Sequence, residues 1–190
     1  MTVRPAGRRS PPHEVRIVGG QWKRSKLAVL DRPGLRPTPD RVRETLFNWL
    51  GQDLTGWRVL DAFAGSGALG FEAASRGAAE VTLLERERDL VRLLRQAQQR
   101  LEAAALRIQQ ADALAWMAQA AKGSFHLVLL DPPFEAGLSG PALAAAAPLV
   151  APGGWLYLES AEAAPPPPGF SLHRQLRAGA VHAHLMLRDR

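Results

Sequence analysis

From Trp57 onward, apolar runs of strand length alternate with stretches of helical period, and no other feature of the 190 residues limits the fold as much. RVLDAF, EVTLLE, LRIQQAD, FHLVLLD and GWLYLES are the strand candidates, while LGFEAASR, Asp89 to Ala105, Ala113 to Ala121 and Pro141 to Val150 carry the helical period. The order βαβαβαβαβ predicts an α/β fold with a parallel sheet covered on both faces, because runs that are apolar at every position must be buried on both sides. After the stiff linker Pro165 to Pro168, FSLHRQL and VHAHLMLR flank Ala178-Gly179-Ala180. They predict a closing antiparallel hairpin at the sheet edge.

The N-terminal part follows other rules. Residues 1 to 14, rich in Arg, Pro, Gly and Ser, are expected to form a flexible basic arm. Residues 15 to 190 are expected to form a single domain, with a basic hairpin and linker in 15 to 37 and the α/β body in 38 to 190. VRIV and KLAVL are the hairpin strands, separated by Gly19-Gly20 and the basic QWKRSK. Thr38 or Asp40 is placed to cap a helix that runs to Leu50, with Val42, Leu46, Phe47, Trp49 and Leu50 on its apolar side.

Charge is unevenly shared. Residues 1 to 43 hold eleven Arg and Lys against three acids, a net +8 of a total of +6, so the remainder carries −2. A basic arm on a near-neutral body is the footprint of a polyanion binder. Arg16, Lys23, Arg24 and Lys26 of the hairpin, with Trp22 as a stacking surface among them, are candidate RNA contacts. Cysteine is absent, which excludes disulfides, thiolate metal sites and cysteine nucleophiles. No run reaches the roughly 18 apolar residues of a membrane span, so the chain is expected to be cytoplasmic, with no membrane partner. His182 and His184 lie two apart on one strand without a third ligand nearby, and no metal is expected.

The chemistry lies where strands end in acids. The first strand of the body runs into DAFAGSGALG, in which Gly65, Gly67 and Gly70 have the G-x-G-x-x-G spacing that brings a ligand to a helix N-terminus. A dinucleotide and S-adenosylmethionine both suit such a loop. Asp61 tilts the choice, since a carboxylate beneath two phosphates repels them but suits a sulfonium and an α-ammonium. Glu85 ends the second strand where an acid takes ribose hydroxyls in either cofactor. Asp112 either accepts from an adenine amine or caps the helix beginning at Ala113. Asp131-Pro132-Pro133-Phe134 ends the fourth strand, which in an open parallel sheet lies beside the first at the switch point. Each proline restricts the residue before it, so the turn is stiff and its carbonyls face the site. The Asp131 carboxylate and the Pro132 carbonyl can accept both N–H bonds of an exocyclic nucleobase amine and free its lone pair, while Phe134 stacks on a flipped-out base.

These motifs resemble a known family. DPPF fits the (Asp/Asn/Ser)-Pro-Pro-(Tyr/Phe/Trp) signature of class I amino-methyltransferases, and RIVGGQWKRSKLAVL, LRPTPDRVRETLFNWL, VLDAFAGSGALGFEAASRGA and LVLLDPPF together resemble the RsmD family of bacterial 16S rRNA guanine-N2 methyltransferases. The resemblance spans Val15 to Arg188. It implies a seven-stranded Rossmann-like methyltransferase sheet, S-adenosylmethionine as methyl donor, and as substrate 16S rRNA within small-subunit particles, with a monomer expected. It adds Phe63, Ala64, Ser66 and Thr38 to the cofactor contacts, and offers Arg36, Thr38, Arg43, Glu44 and Asn48 for the cofactor's methionine end or the RNA entrance; Arg36 and Arg43 are assigned to RNA. Phe134 departs from the commoner Tyr of the signature. Adenine-N6 methylation of DNA or RNA is the alternative, because the same turn serves both amines. A nicotinamide oxidoreductase leaves DPPF and the basic arm unexplained, and a non-catalytic RNA-binding factor leaves the donor site without a use.

Overall fold

The computed structural model describes residues 13–30 and 39–190. All but the last two residues of the expected flexible arm, and the linker with Arg36 and Thr38, lie outside the described residues.

The hairpin forms with shifted bounds: β1 (His13–Arg16) begins two residues before VRIV, inside the expected arm, and pairs antiparallel with β2 (Lys26–Val29). α1 (Asp40–Trp49) follows, with Val42, Leu46 and Phe47 buried. Asp40 is not its cap but accepts from Arg43 within the first turn at 2.5 Å. The body then alternates β3 (Arg58–Asp61), α2 (Ala68–Ser75), β4 (Glu80–Glu85), α3 (Arg88–Arg100), β5 (Leu106–Gln110), α4 (Ala113–Met117), β6 (Phe125–Leu130), α5 (Ser139–Ala146) and β7 (Val150–Ser160). β8 (Phe170–Ala178) and β9 (Val181–Arg188) close the chain.

The seven strands lie in the order β5-β4-β3-β6-β7-β9-β8. β3 through β7 pair in parallel, and β9 inserts antiparallel between β7 and β8, so β8 alone forms that edge. Alternate residues explain why the strands are apolar throughout. Val59, Leu83, Leu127, Leu129 and Tyr157 face a layer with Leu46, Phe47, Phe71 and Leu94, whereas Leu60, Leu84, Val128, Leu130 and Leu158 face Met117, Ala142 and Ala146. Each strand therefore has cover on both sides.

Helix ends depart from the sequence reading for local reasons. α3 stops at Arg100 rather than Ala105, because the chain must reverse into β5 and does so with Glu102 at φ 50°. α4 ends at Met117, and i→i−3 bonds from Gln119 and Ala120 replace the rest of the expected helix. α5 gives way to a 3₁₀ turn at Ala147–Leu149, where Pro148 has no N–H to continue it. β7 starts earlier than GWLYLES because Val150 already pairs with Phe125, across a register shift before Leu127 meets Trp155.

α2 fixes the hairpin. Val18 N donates to Glu72 Oε2 at 2.8 Å, Gln21 N to the Ser75 carbonyl at 2.8 Å, and Trp22 N to Ser75 Oγ at 3.0 Å. Gly20 makes this approach possible, since a Cβ there would stand 1.9 Å from the Ser75 oxygen and its φ is +70°. The helix runs away from the carboxyl end of β3, so the hairpin loop docks roughly 10 Å from the glycine loop, at 1.5 Å per helical residue. The other end of the hairpin returns along the helix, where Val15 and Val29 pack on Ala68.

Candidate active site

β3 and β6 are adjacent, with Asp61 in register with Leu129, so the glycine loop and the turn after β6 meet where the strand order reverses. Asp61 is almost fully buried, and its Oδ2 accepts from Gly70 N at 2.9 Å. That N–H is one of the orphan donors of the α2 N-terminus, the group a phosphate would otherwise seek. A carboxylate already holds it, which disfavours a pyrophosphate. Among the described residues, Asp61 Oδ1 has no hydrogen-bond partner. Burial first, then the neighbouring Glu85 and Glu159 carboxylates, raise the Asp61 pKa to about 7 against the pull of the Gly70 and Phe63 N–H groups. A buried carboxylate with an open oxygen and no paired cation among the described residues suits an ammonium group such as that of S-adenosylmethionine.

The loop itself is taut. Gly67 N donates to the Ala64 carbonyl at 2.6 Å, and Ala64 N donates to the Leu84 carbonyl at 2.9 Å. Gly67 has φ +80°, but a Cβ there would point inward, 2.5 Å from Leu94 Cδ2 and 2.8 Å from Phe71 Cδ2. Its smallness serves helix packing directly and ligand approach only through the path of the loop. Phe63, Gly65 and Ser66 are half-buried and Ala64 is buried. Glu85 holds the same loop through Oε2, which accepts from Gly65 N at 2.9 Å, while Oε1 accepts from Glu87 N at 2.8 Å. Each oxygen retains a second lone pair for a ribose hydroxyl. Asp112 is exposed and caps α4 through Oδ1, accepting from Ala115 N at 2.9 Å.

Asp131 follows Leu130, whose β7 partner is Leu158, and so stands level with Glu159. Pro132 is buried and Pro133 exposed. Only part of the turn's carbonyl set faces outward, because the Pro133 oxygen accepts from Ala136 N at 3.2 Å within a short 3₁₀ turn. Phe134 is 38% exposed, one of two large exposed apolar side chains among the described residues. Behind the turn, the buried Tyr157 hydroxyl donates to buried Glu159 at 2.8 Å. Burial, then the charge of Glu159 and its hydrogen bond, then Asp131, hold that hydroxyl well above the usual tyrosine range. Sequence reasoning passed over this pair, although Glu159 carries the same signal as Asp61, Glu85 and Asp131: an acid closing an apolar strand.

The N-terminal candidates fare differently. Arg43 is no RNA contact: it is fully buried, its Nη1 lies 3.6 Å from Glu72 Oε2, and its Nη2 lies 2.5 Å from Asp40. Burial of the guanidinium among carboxylates leaves no surface for a phosphate. Trp22 is half-buried and packs edge-on to Phe71, with ring centroids 6.5 Å apart, so most of the expected stacking surface belongs to the core. Arg16, Lys23, Arg24 and Lys26 are exposed, with Lys26 paired to Glu14 at 2.7 Å. Glu44 and Asn48 are exposed on α1, where Asn48 accepts from Gln52 at 2.8 Å. Among the described residues no His, Asp and Glu cluster could hold a metal ion, and no helix is long and apolar enough to cross a membrane.

A doubly wound sheet closed by an antiparallel β7-β9-β8 edge, with a glycine loop after its first parallel strand and Asp-Pro-Pro-Phe after its fourth, defines a class I, Rossmann-like S-adenosylmethionine-dependent methyltransferase. A family model described as "Conserved hypothetical protein 95" matches residues 15–187. The chain is 45% identical over 186 residues to Ribosomal RNA small subunit methyltransferase D of Escherichia coli (strain K12), covering 93% of this chain and 91% of that protein. It is 38% identical over 183 residues to the protein of the same name from Haemophilus influenzae, covering 90% and 93%. Among solved structures, the Escherichia coli protein yhhF superposes with a TM-score of 0.84 at 39% identity, over 93% of this chain and 99% of that one. The chain belongs to the ribosomal RNA small subunit methyltransferase D family.

Proposed function

We propose that this chain transfers a methyl group from S-adenosylmethionine to the exocyclic N2 amine of a guanine in 16S rRNA of the small ribosomal subunit. The observation that carries the reading is the pairing of β3 with β6, which brings the Asp61 loop and Asp131 to one end of the sheet. When bound, S-adenosylmethionine supplies an electrophilic methyl group on a sulfonium. The buried Asp61 carboxylate holds the ammonium, Glu85 the ribose hydroxyls, and the second oxygen of Asp112 the adenine amine, with Phe63, Ala64, Gly65, Ser66 and Gly67 along the path. Asp131 and the Pro132 carbonyl accept the two N–H bonds of the target amine, which draws its lone pair out of the ring, and Phe134 stacks on the base. The names of the two relatives support a small-subunit rRNA substrate. A monomer suffices, since Phe134 and Leu172 are the only large apolar side chains exposed among the described residues. It works in the cytoplasm, where that substrate is assembled.

Labelled donor, small-subunit particles lacking the modification and nucleoside analysis test the reading. N2-methylguanosine is expected; N6-methyladenosine, or no transfer, overturns it. Asp131→Ala should lower turnover by at least about 10²-fold, the scale of one lost transition-state hydrogen-bonding group, with donor affinity nearly unchanged. Turnover near the parent value would remove Asp131 from the mechanism.

A further inference from the structure

The outer face of α3 is a second basic surface that neither the hairpin nor the acidic end of the sheet explains. Leu90, Val91, Leu94 and Ala97 point inward and are buried, so the helical period turns Arg88, Arg92, Arg95 and Gln99 outward in one row. At 1.5 Å per residue, Arg88 and Arg95 lie about 10 Å apart along the axis with Arg92 between them. With Gln96 and Gln110 they line an open groove of about 510 Å³. Arg92 lies 3.8 Å from Asp89, an exposed pair that solvent screens, whereas Arg88 and Arg95 make no ion pair among the described residues.

The row connects two regions already described. At its upper end Gln110 pairs with Glu85 and donates to the Arg86 carbonyl at 3.2 Å, at the rim of the acidic site. At its lower end Arg100 donates to the Lys26 carbonyl of the hairpin. The cations on it are all arginine, a planar fork that pairs bidentately with phosphate, and the glutamine amides between them can donate to phosphate or ribose oxygens. An apolar anchor of the kind a protein interface needs at its centre is missing from the groove-lining residues on the exposed face.

We infer that the α3 row is an RNA-docking surface that takes the sugar-phosphate backbone flanking the target nucleotide. It guides the strand from the hairpin toward the carboxyl end of the sheet. The inference rests on the rRNA reading above and names the part of the chain that holds that substrate. Glutamine at positions 88, 92 and 95 keeps length and helix propensity while removing three charges. Binding of Arg88→Gln/Arg92→Gln/Arg95→Gln is measured against salt on small-subunit particles and on their deproteinised 16S rRNA, with donor affinity by calorimetry as the check on folding. The slope of log K against log salt should fall in magnitude by about 2 on both substrates, at about 0.7 per lost single-strand phosphate contact. An unchanged slope in a variant that binds donor normally makes the row a solvated face and leaves the methyltransferase reading standing. Loss of affinity for particles alone assigns the face to a ribosomal protein and overturns the RNA assignment. A parent protein that binds neither particles nor their RNA overturns both readings.

Discussion

Two buried carboxylates sit one at each end of α2's reach, and the fold treats them in opposite ways. Glu72, fully buried within the helix, meets Arg76 at 2.9 Å, Arg43 at 3.6 Å and Val18 N at 2.8 Å, so hairpin, α1 and α2 converge on one charge. Arg76 extends the network to Gln52 at 2.9 Å and lies 4.8 Å over the Phe47 ring. Asp61, nearly as buried, has Gly70 N, an open Oδ1 and other carboxylates for company. Burial alone therefore does not mark a functional acid. A buried carboxylate whose counter-charges come from the chain is a clamp; one that lacks them among the described residues is, in the function proposed above, a receptor for a cation from outside.

The clamp gives the largest expected effect. Glu72→Ala leaves two buried guanidiniums without their shared carboxylate, and breaking such a pair costs about 3–5 kcal/mol. The midpoint of urea unfolding should fall accordingly, with the hairpin released first. A loss below about 1 kcal/mol would break the comparison, because Glu72 would then be no more than a tolerated charge.

Asp61 should respond with the other sign in the donor-free protein. Its folded pKa of about 7 lies above the ordinary aspartate value of 3.8, so between these values the native state binds more protons than the unfolded state. The contribution of Asp61 to stability is therefore fullest below about 4 and is lost as pH rises toward about 7. Asp61→Asn keeps an acceptor for Gly70 N and removes this titration, so at pH 8 the variant should unfold at higher urea than its parent while Glu72→Ala unfolds lower. Donor affinity should move oppositely. In the parent it weakens as pH falls below about 7, because only the ionised carboxylate attracts a cation; in Asp61→Asn it should be at least about 10-fold weaker at pH 8, the scale of a hydrogen bond to a charged group, and flat with pH. Calorimetry across pH 5.5–8 decides it, and an unchanged profile would remove Asp61 from the donor site.

This division was only half legible in the sequence. β4 and β9 have the bounds their patterns suggest, and the switch point follows from parallel strands closed by a returning hairpin, because local period and topology speak together there. Asp61, Glu85 and Asp131 were visible as acids where apolar strands stop. The clamp was not, because charge was counted along the chain rather than around the helix. Arg43 shares the i, i+3, i+4, i+7 face of Leu46, Phe47 and Leu50, which marks it as inward, and Glu72 is the only charged residue of an eight-residue helix buried on every side. Its partners come from Val18 in the hairpin, 54 residues away, from Arg43 in α1 and from Arg76 in the next turn of the helix, a convergence that no local pattern contains.

Asp112 tests the comparison between its two extremes, with the smallest effect. It is an exposed acid whose Oδ1 caps α4 while its other oxygen has no hydrogen-bond partner among the described residues, so structure and ligand would each claim one oxygen. Asp112→Ala should cost about 1 kcal/mol of stability through the lost cap. Asp112→Ser should recover most of that, since serine caps nearly as well, but its single short hydroxyl cannot cap and also reach an adenine amine. Both variants should then weaken donor binding, by up to about 10-fold for one hydrogen bond to a carboxylate, while differing in stability. If serine restores stability and donor affinity together, Asp112 acts on the donor only by holding α4 in place, and the acids proposed to receive the cofactor reduce to those that close β3 and β4.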